Sequence, residues 1–287
     1  MSGIILIDKN LLKKLKLIVF DVDGTLVNQN DQIGEETIKY VKELKKQGMR
    51  FSFASGRQHS ALIHHAETLE LKTPIISLDG TLIKSHPEGK IIDESPLPGK
   101  YVLKAIELAD RYLLKVALCH DQAIYFDEQN SGVHTLLDKY GAKYQEVDSY
   151  KNYIANTLEI VIAGDYKDSM KYVNRKLQFP YSFGLMTSFY KSHSYGGVYY
   201  LEVRKSGGSK GKGLKKLTKY LKVKMTETAV IGDWFNDRSL FETKALKIAM
   251  GNAVPEIKRL ADHILSKTFH DDGTAEFLEM VLRAKRN

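Results

Sequence analysis

Residues 15–27 read LKLIVFDVDGTLV. Leu17, Ile18, Val19 and Phe20 form an unbroken, partly β-branched apolar run, as expected of a strand buried on both faces of a parallel sheet. Asp21 and Asp23 come where that strand has to end, because charged groups are rarely placed inside such a sheet without a partner. Gly24 lets the chain turn away sharply. In open α/β sheets, ligands bind just beyond the carboxyl ends of the strands. The two carboxylates therefore stand where a metal ion and a phosphate group would meet them. Taken alone, the same stretch also reads as a polar strand end closed by an Asx-type turn.

The flanking sequence places this strand in an alternating fold. Ile38, Val41 and Leu44 share one face of a helix over residues 37–46, which Gly48 ends. Residues 50–54 (RFSFA) are a second strand, closed by Ser55-Gly56-Arg57, and a helix is expected through about residue 69. Pro74 precedes a third strand over residues 75–78. A β-α-β-α-β order implies a parallel sheet with right-handed crossovers. The pattern breaks near Lys84, where Pro87, Gly89, Pro96, Pro98 and Gly99 cluster. A helix over 101–113, a hairpin-like VALCHDQAIYFDE (116–128), NTLEIVIAG (156–164) and GGVYYLEVRK (196–205) follow in irregular order. Alternation resumes after Gly208 with a helix over 209–221 and a strand over 229–231. Next come a helix from Asn236, a strand over 247–250, a helix from Val254, a strand over 263–265 and a last helix from Thr274. The expected organisation is an α/β, Rossmann-like parallel-sheet core split between residues 1–83 and 206–287. An α+β cap is inserted over residues 84–205.

Composition narrows the functional classes. The chain has 287 residues, 43% hydrophobic and 27% charged, ordinary for a soluble globular protein with a sizeable core. Its net charge is +8, from 43 Lys+Arg against 35 Asp+Glu, which raises the question of nucleic acid. The excess is mostly Lys spread along the chain. Its densest stretch, KGKGLKKLTKYLKVK (210–224), spaces Leu214, Leu217 and Leu221 as an amphipathic helix with a solvated Lys face. No nucleic-acid reading motif accompanies it, so no nucleic-acid partner is expected. The single cysteine, Cys119, excludes an intrachain disulfide and fits a reducing cytoplasm. The apolar run at residues 4–7 is too short for a secretory signal or a membrane span, and no membrane association is expected. Oligomeric state is not legible.

Three further strand ends carry chemistry. Ser55, before an expected helix N-terminus, offers a hydroxyl and free backbone N–H groups to an anion. Lys210 follows Gly207-Gly208-Ser209, where close backbone approach and a mobile point charge suit a phosphate. The apolar run at 229–231 ends in Gly232-Asp233-Trp234-Phe235-Asn236-Asp237, again carboxylates closing a buried strand. Mg²⁺ prefers octahedral oxygen ligands, usually one or two carboxylates plus waters and phosphate oxygens. Asp21, Asp233 and the backbone carbonyl of Asp23 would satisfy it.

These four pieces, in this order and spacing, resemble the haloacid dehalogenase (HAD) superfamily of aspartate-nucleophile phosphatases. DVDGT matches its first motif, Ser55 the second, Lys210 the third and GDWFND the fourth. MGNAVPEIKRLADHIL (250–265) and DDGTAEFLEMVL (271–282) resemble the Cof-type branch, whose cap is inserted between the second and third motifs. The resemblance implies a Mg²⁺-dependent phosphatase of small phosphorylated metabolites such as sugar, nucleotide or cofactor phosphates. It implies Asp21 as nucleophile and Asp23 as general acid and base. Asp21, Asp23, Gly24, Ser55, Gly56, Lys210 and Asn236 would hold the phosphoryl group. Asp21, Asp23, Asp233, Asn236 and Asp237 would hold the metal, with Asn236 and Asp237 alternatively orienting Lys210. Candidate substrate contacts are Arg57 on the core, Asp79 and Gly80, and His120, Asp121, His193 and Tyr195 on cap loops. A phosphomutase, a sucrose- or trehalose-phosphate-type phosphatase, and a catalytically retired binding protein are the alternatives.

Three features stand apart. SLDGTLI (77–83) repeats the Asp-Gly-Thr-Leu of the first motif, but Ser77 occupies the place of Asp21. The Cof branch usually carries Asn-Gly there, and Asp79 is expected to tune affinity for anionic substrates without acting in catalysis. His64 and His65 are expected on a core helix face. The segment over residues 1–14 is longer than such a core needs and is expected to fray or to pack.

Overall fold

The computed structural model describes residues 7–132, 141–192 and 196–286. The chain divides into two compact units, Met1–Gly56 with Ile63–Asp93 and Ser209–Asn287, and Arg57–Leu62 with Glu94–Gly208.

The first unit is built on a parallel sheet. Its strands are β1 (Leu17–Phe20), β2 (Arg50–Phe53), β12 (Thr228–Gly232), β13 (Leu246–Ala249) and β14 (His263–Ile264), in the order β14-β13-β12-β1-β2. Phe20 pairs with Phe53 on one side and Ile231 on the other. All four residues of β1 are fully buried, because helices cover both faces as a parallel sheet requires. Helices α2 (Glu35–Lys46) and α9 (Gly273–Arg286) pack together, and α1 (Lys9–Lys14) packs on α9. Among the other helices of this unit are α6 (Lys210–Leu221) and α7 (Arg238–Phe241), which also pack together. Leu214 and Leu217 of α6 and Phe277, Leu278 and Val281 of α9 are buried. Each fully buried side chain of this size contributes about 1.5–3 kcal/mol. A parallel bridge from Ala54 to Ile76 attaches a smaller sheet of β3 (Ile75–Ser77), β4 (Leu82–Lys84) and β5 (Ile91–Glu94).

The sheet order has a direct consequence. The chain leaves β1 toward β2 on one side, and β12 lies on the other, so the order reverses between β1 and β12. That reversal opens a crevice beyond their carboxyl ends. Asp21 follows β1 and Asp233 follows β12.

The second unit is an α+β layer. Its strands are β6 (Lys115–Cys119), β7 (Ile124–Asp127), β8 (Tyr144–Val147), β9 (Glu159–Gly164), β10 (Leu185–Lys191) and β11 (Tyr199–Lys205), in the order β10-β11-β9-β6-β7-β8. Among the described residues of this sheet, β7 and β8 pair in parallel and the other neighbours pair antiparallel. Helices α4 (Gly99–Arg111) and α5 (Lys167–Lys176) bury Val102, Ala105, Met170 and Val173 against Leu118, Ile160 and Leu201. The alternate strand residues Ala117, Cys119, Val161, Ala163 and Tyr200 form a second cluster.

Several expectations are corrected. The helix expected over residues 57–69 is a short 3-10 turn at His59–Leu62 followed by α3 (Ile63–Thr68), so Ser55 does not stand at an α-helix N-terminus. The helix expected from Asn236 begins as a 3-10 turn at Phe235–Asp237. Residues 84–93, assigned to the insertion from their Pro and Gly content, belong to the first unit through β4 and β5. Arg57, expected on the core, falls in the second unit. Of the histidine pair, His65 is buried, 3.2 Å from Asp31, and His64 is exposed. Of the segment over residues 1–14, residues 1–6 lie outside the described residues; α1 packs through the buried Leu12, and the Lys13 carbonyl accepts from Lys285 at 3.0 Å.

Candidate active site

The candidate carboxylate–lysine cluster lies in the first unit, beyond the carboxyl ends of β1 and β12. Continuing the ladder, the Asp21 N–H donates to the Ile231 carbonyl at 2.9 Å, which fixes Asp21 beside the end of β12. Gly24 takes φ +73°, and a Cβ there would stand 2.5 Å from Asp233 Oδ2, so only glycine lets the first loop approach the fourth. Thr25 Oγ1 donates to Asp233 Oδ1 at 3.0 Å, tying the same two loops.

The fourth motif folds around Asp237. Its Oδ2 accepts from the Asp233 N–H at 2.9 Å and the Trp234 N–H at 3.1 Å. Its Oδ1 accepts from Lys210 Nζ at 2.7 Å. Lys210 also donates to Asp21 Oδ1 at 2.6 Å. Lys210 opens α6, capped by Ser209, and is completely buried. Gly211 allows this depth, because a Cβ there would run into the Ser239 carbonyl of α7.

Asp21, Asp233 and Asp237 bring carboxylate oxygens within 4.8 Å of one another, all buried. Burial alone would lower the Lys210 pKa, but Asp21, Asp237 and Asp79 outweigh it and hold the ammonium charged. Burial, then the charge of Asp237, pushes Asp21 well up against the pull of Lys210. Burial and Asp237 push Asp233 up to about 7 despite the Thr25 hydrogen bond. One ammonium thus faces three crowded carboxylates. A hard divalent cation with oxygen ligands fits this donor set and would remove the repulsion.

The other expected site residues are distributed as follows. Asp23 is exposed on the loop after Asp21. Ser55 is buried, and its carbonyl accepts from the Asp79 N–H at 3.0 Å. Gly56 lies beside Asp79, whose oxygens would meet a Cβ on it at 3.3 and 3.4 Å. Asn236 is exposed, and its amide donates to Asp79 Oδ1 at 3.2 Å. Gly80 packs so tightly on the Ser209 carbonyl that no side chain would fit. In the second unit, His120 is half-buried, its Nε2 2.8 Å from the Tyr153 carbonyl, and Gln58 donates to the His120 carbonyl at 2.8 Å. Asp121 is partly exposed in the same unit. His193 and Tyr195 lie outside the described residues.

Sequence reading missed Asn252. Its amide donates to the Gly24 carbonyl at 2.9 Å and to Asp233 Oδ2 at 3.2 Å, while its Oδ1 accepts from the Phe269 N–H at 3.1 Å. The Met-Gly-Asn run after β13 was its available signal, since a polar residue just past a buried strand reaches the same crevice.

The fold and this carboxylate–lysine cluster define a hydrolase of the haloacid dehalogenase type. The family described as haloacid dehalogenase-like hydrolase matches residues 18–278. The chain belongs to that family, in its Cof-type branch, and is a phosphatase of the phosphoric monoester class. It is 30% identical over 261 residues to the putative phosphatase YkrA of Bacillus subtilis, covering 91% of this chain and 95% of that protein. It is 25% identical over 292 residues to the 5-amino-6-(5-phospho-D-ribitylamino)uracil phosphatase YitU of the same organism, covering 92% and 96%. A crystal structure of a haloacid dehalogenase-like hydrolase from Bacteroides thetaiotaomicron superposes with a TM-score of 0.81 at 26% identity, covering 93% of this chain and 99% of that one. No described helix is long and apolar enough to cross a membrane.

Proposed function

We propose that the chain is a Mg²⁺-dependent phosphatase of small phosphorylated metabolites that works through an aspartyl-phosphate on Asp21. The observation that carries this reading is the buried Lys210 bridging Asp21 and Asp237 beside Asp233. A structural ion pair would match its charges. This cluster gathers three carboxyl groups around one ammonium, more acid than a structural ion pair needs, as a cation-assisted phosphoryl site requires.

Asp21 attacks phosphorus, the ester oxygen leaves, and a carboxyl–phosphate bond forms. Asp23, exposed two residues on, gives its proton to the departing alkoxide. The resulting Asp23 carboxylate then takes a proton from the water that hydrolyses the acyl phosphate. Phosphate is released, with both aspartates restored. Lys210, Ser55, Gly56, Gly24 and Asn236 hold the phosphoryl oxygens, with Lys210 supplying the fixed positive charge. Asp21, Asp233 and Asp237, with the Asp23 carbonyl, would hold Mg²⁺, which when bound offsets repulsion between Asp21 and the phosphate dianion. Asp237 also fixes the position of Lys210. The lone buried Cys119 supports a reducing, cytoplasmic setting.

The test is phosphate release from p-nitrophenyl phosphate and a panel of sugar, nucleotide and cofactor monophosphates, with Mg²⁺ and with EDTA. Release is expected only with Mg²⁺ and is expected to vanish in Asp21→Asn. Equal turnover by Asp21→Asn would refute the assignment of the nucleophile.

A further inference from the structure

We propose that Glu276, on the first turn of α9, is a positioning residue for Asp233. It acts through residues 266–269 and Asn252, and it sets the affinity of the carboxylate cluster for a divalent cation. The inference takes Asp233 as a metal ligand from the reading above.

Residues 265–268 follow β14 without regular structure, so their backbone donors take partners from elsewhere. The Leu265 N–H continues the ladder to the Ala249 carbonyl at 2.8 Å. The Ser266 and Lys267 N–H groups donate to Glu276 Oε2 at 3.0 and 3.1 Å, and Ser266 Oγ adds a bond to the same oxygen at 2.8 Å. The Thr268 N–H donates to Asp271 Oδ2 at 3.4 Å. The Phe269 N–H then donates to Asn252 Oδ1 at 3.1 Å. One carboxylate thus ties this loop to α9 with charge-assisted bonds. The Lys267 carbonyl accepts from the Gly251 N–H at 2.9 Å, and a Cβ on Gly251 would stand 2.5 Å from that oxygen. The loop that Glu276 holds is therefore pressed on the turn that carries Asn252.

An amide side chain can offer either its oxygen or its nitrogen to a given side. The Phe269 N–H needs an acceptor, which turns Asn252 Oδ1 toward the loop and leaves Nδ2 for the crevice. There Nδ2 donates to the Gly24 carbonyl at 2.9 Å and to Asp233 Oδ2 at 3.2 Å. Thr25 Oγ1 holds the other Asp233 oxygen at 3.0 Å. Asp233 is oriented by a donor on each oxygen. Partners of this kind aim a metal-binding carboxylate, and losing one typically weakens metal affinity about 10–100-fold. With the amide reversed, two oxygens would face each other and the Phe269 N–H would lose its acceptor. Releasing Ser266 and Lys267 from Glu276 lets the loop draw away from Asn252, and the amide is then free to turn.

The test is calorimetric titration of Mg²⁺ alone into the full-length chain and into Glu276→Ala, Glu276→Gln, Asn252→Ala and the Glu276→Ala/Asn252→Ala double variant. Urea unfolding of each in EDTA records the stability cost separately. Glu276→Ala is expected to raise the Mg²⁺ dissociation constant about tenfold. Glu276→Gln keeps an acceptor oxygen for the loop and is expected to retain most of the wild-type affinity. In the Asn252→Ala background, Glu276→Ala is expected to weaken Mg²⁺ no further, because the route to Asp233 is already cut. A merely structural Glu276 would lower stability and leave Mg²⁺ affinity alone. An unchanged dissociation constant in Glu276→Ala, a tenfold loss that persists in full without Asn252, or no Mg²⁺ binding by the wild-type chain would overturn the proposal. If the Mg²⁺ affinities behave as expected while the wild-type chain hydrolyses no phosphate ester, the phosphatase reading fails and this inference stands.

Discussion

Asp233→Asn is expected to stabilise the metal-free protein at alkaline pH while weakening its hold on a divalent cation. The Asp233 carboxyl ordinarily titrates at 3.8 and in the folded chain is pushed up to about 7 by burial and by Asp237. Below 3.8 both folded and unfolded states carry the proton, and the side chain has no effect on stability. Between 3.8 and 7 the folded state keeps a proton that the unfolded chain has released, so each pH unit upward lowers stability by about 1.4 kcal/mol. Above 7 both states are ionised and the full penalty is present. The gap between 3.8 and about 7 is worth about 4 kcal/mol at 1.36 kcal/mol per pH unit. Asparagine carries no such penalty, and its amide oxygen can still accept from Thr25 or Asn252. Urea unfolding in EDTA at pH 4.5 and pH 8.5 separates the cases. The variant should gain little at pH 4.5 and up to about 4 kcal/mol at pH 8.5. Mg²⁺ at a hundredfold its dissociation constant should stabilise the wild-type chain by about 2.7 kcal/mol and the variant far less. The reasoning is refuted if Asp233→Asn is destabilising by the same amount at both pH values, or if Mg²⁺ stabilises both proteins equally.

Two further substitutions probe the same cluster. Lys210→Met removes the ammonium that bonds both Asp21 and Asp237, leaving buried carboxyl groups without that partner. It should cost about 3–5 kcal/mol at neutral pH, read by chemical denaturation, with the loss easing in acid as the carboxylates regain protons, and it should abolish phosphate release. Asn252→Ala removes the bonds to Gly24, Asp233 and Phe269. It should raise the Mg²⁺ concentration for half-maximal activity about 10–100-fold, with little change in rate at saturating Mg²⁺.

Relative to the sequence, the strands of the parallel sheet were the most legible part. Leu17, Ile18, Val19 and Phe20 are apolar without alternation because both faces of β1 are covered, and that pattern is local. The edge strand β10 and the helix α5 escaped notice. Strand β10 is half-exposed along its length, so no sharp polar–apolar contrast marks it. In α5 the apolar positions are few among Lys, Asn, Arg and Asp.

The strand-end carboxylates and the Gly-rich approach to Lys210 were readable because turn chemistry and burial are properties of a few consecutive residues. Which carboxylate Lys210 binds is a property of the crevice. Asp237 and Asn236 are adjacent in sequence, yet the 3-10 turn at Phe235–Asp237 sends Asp237 inward to Lys210 and leaves Asn236 exposed against Asp79. Asn252 joins Gly24 across 228 positions of chain, and no local pattern encodes such a pairing. The sequence alone established a split parallel-sheet domain with acids at its strand ends, since hydrophobic period and chain reversal act over short distances. Only the tertiary structure decided the partners of those acids, because charges in a shared buried space interact through distance and not through order along the chain.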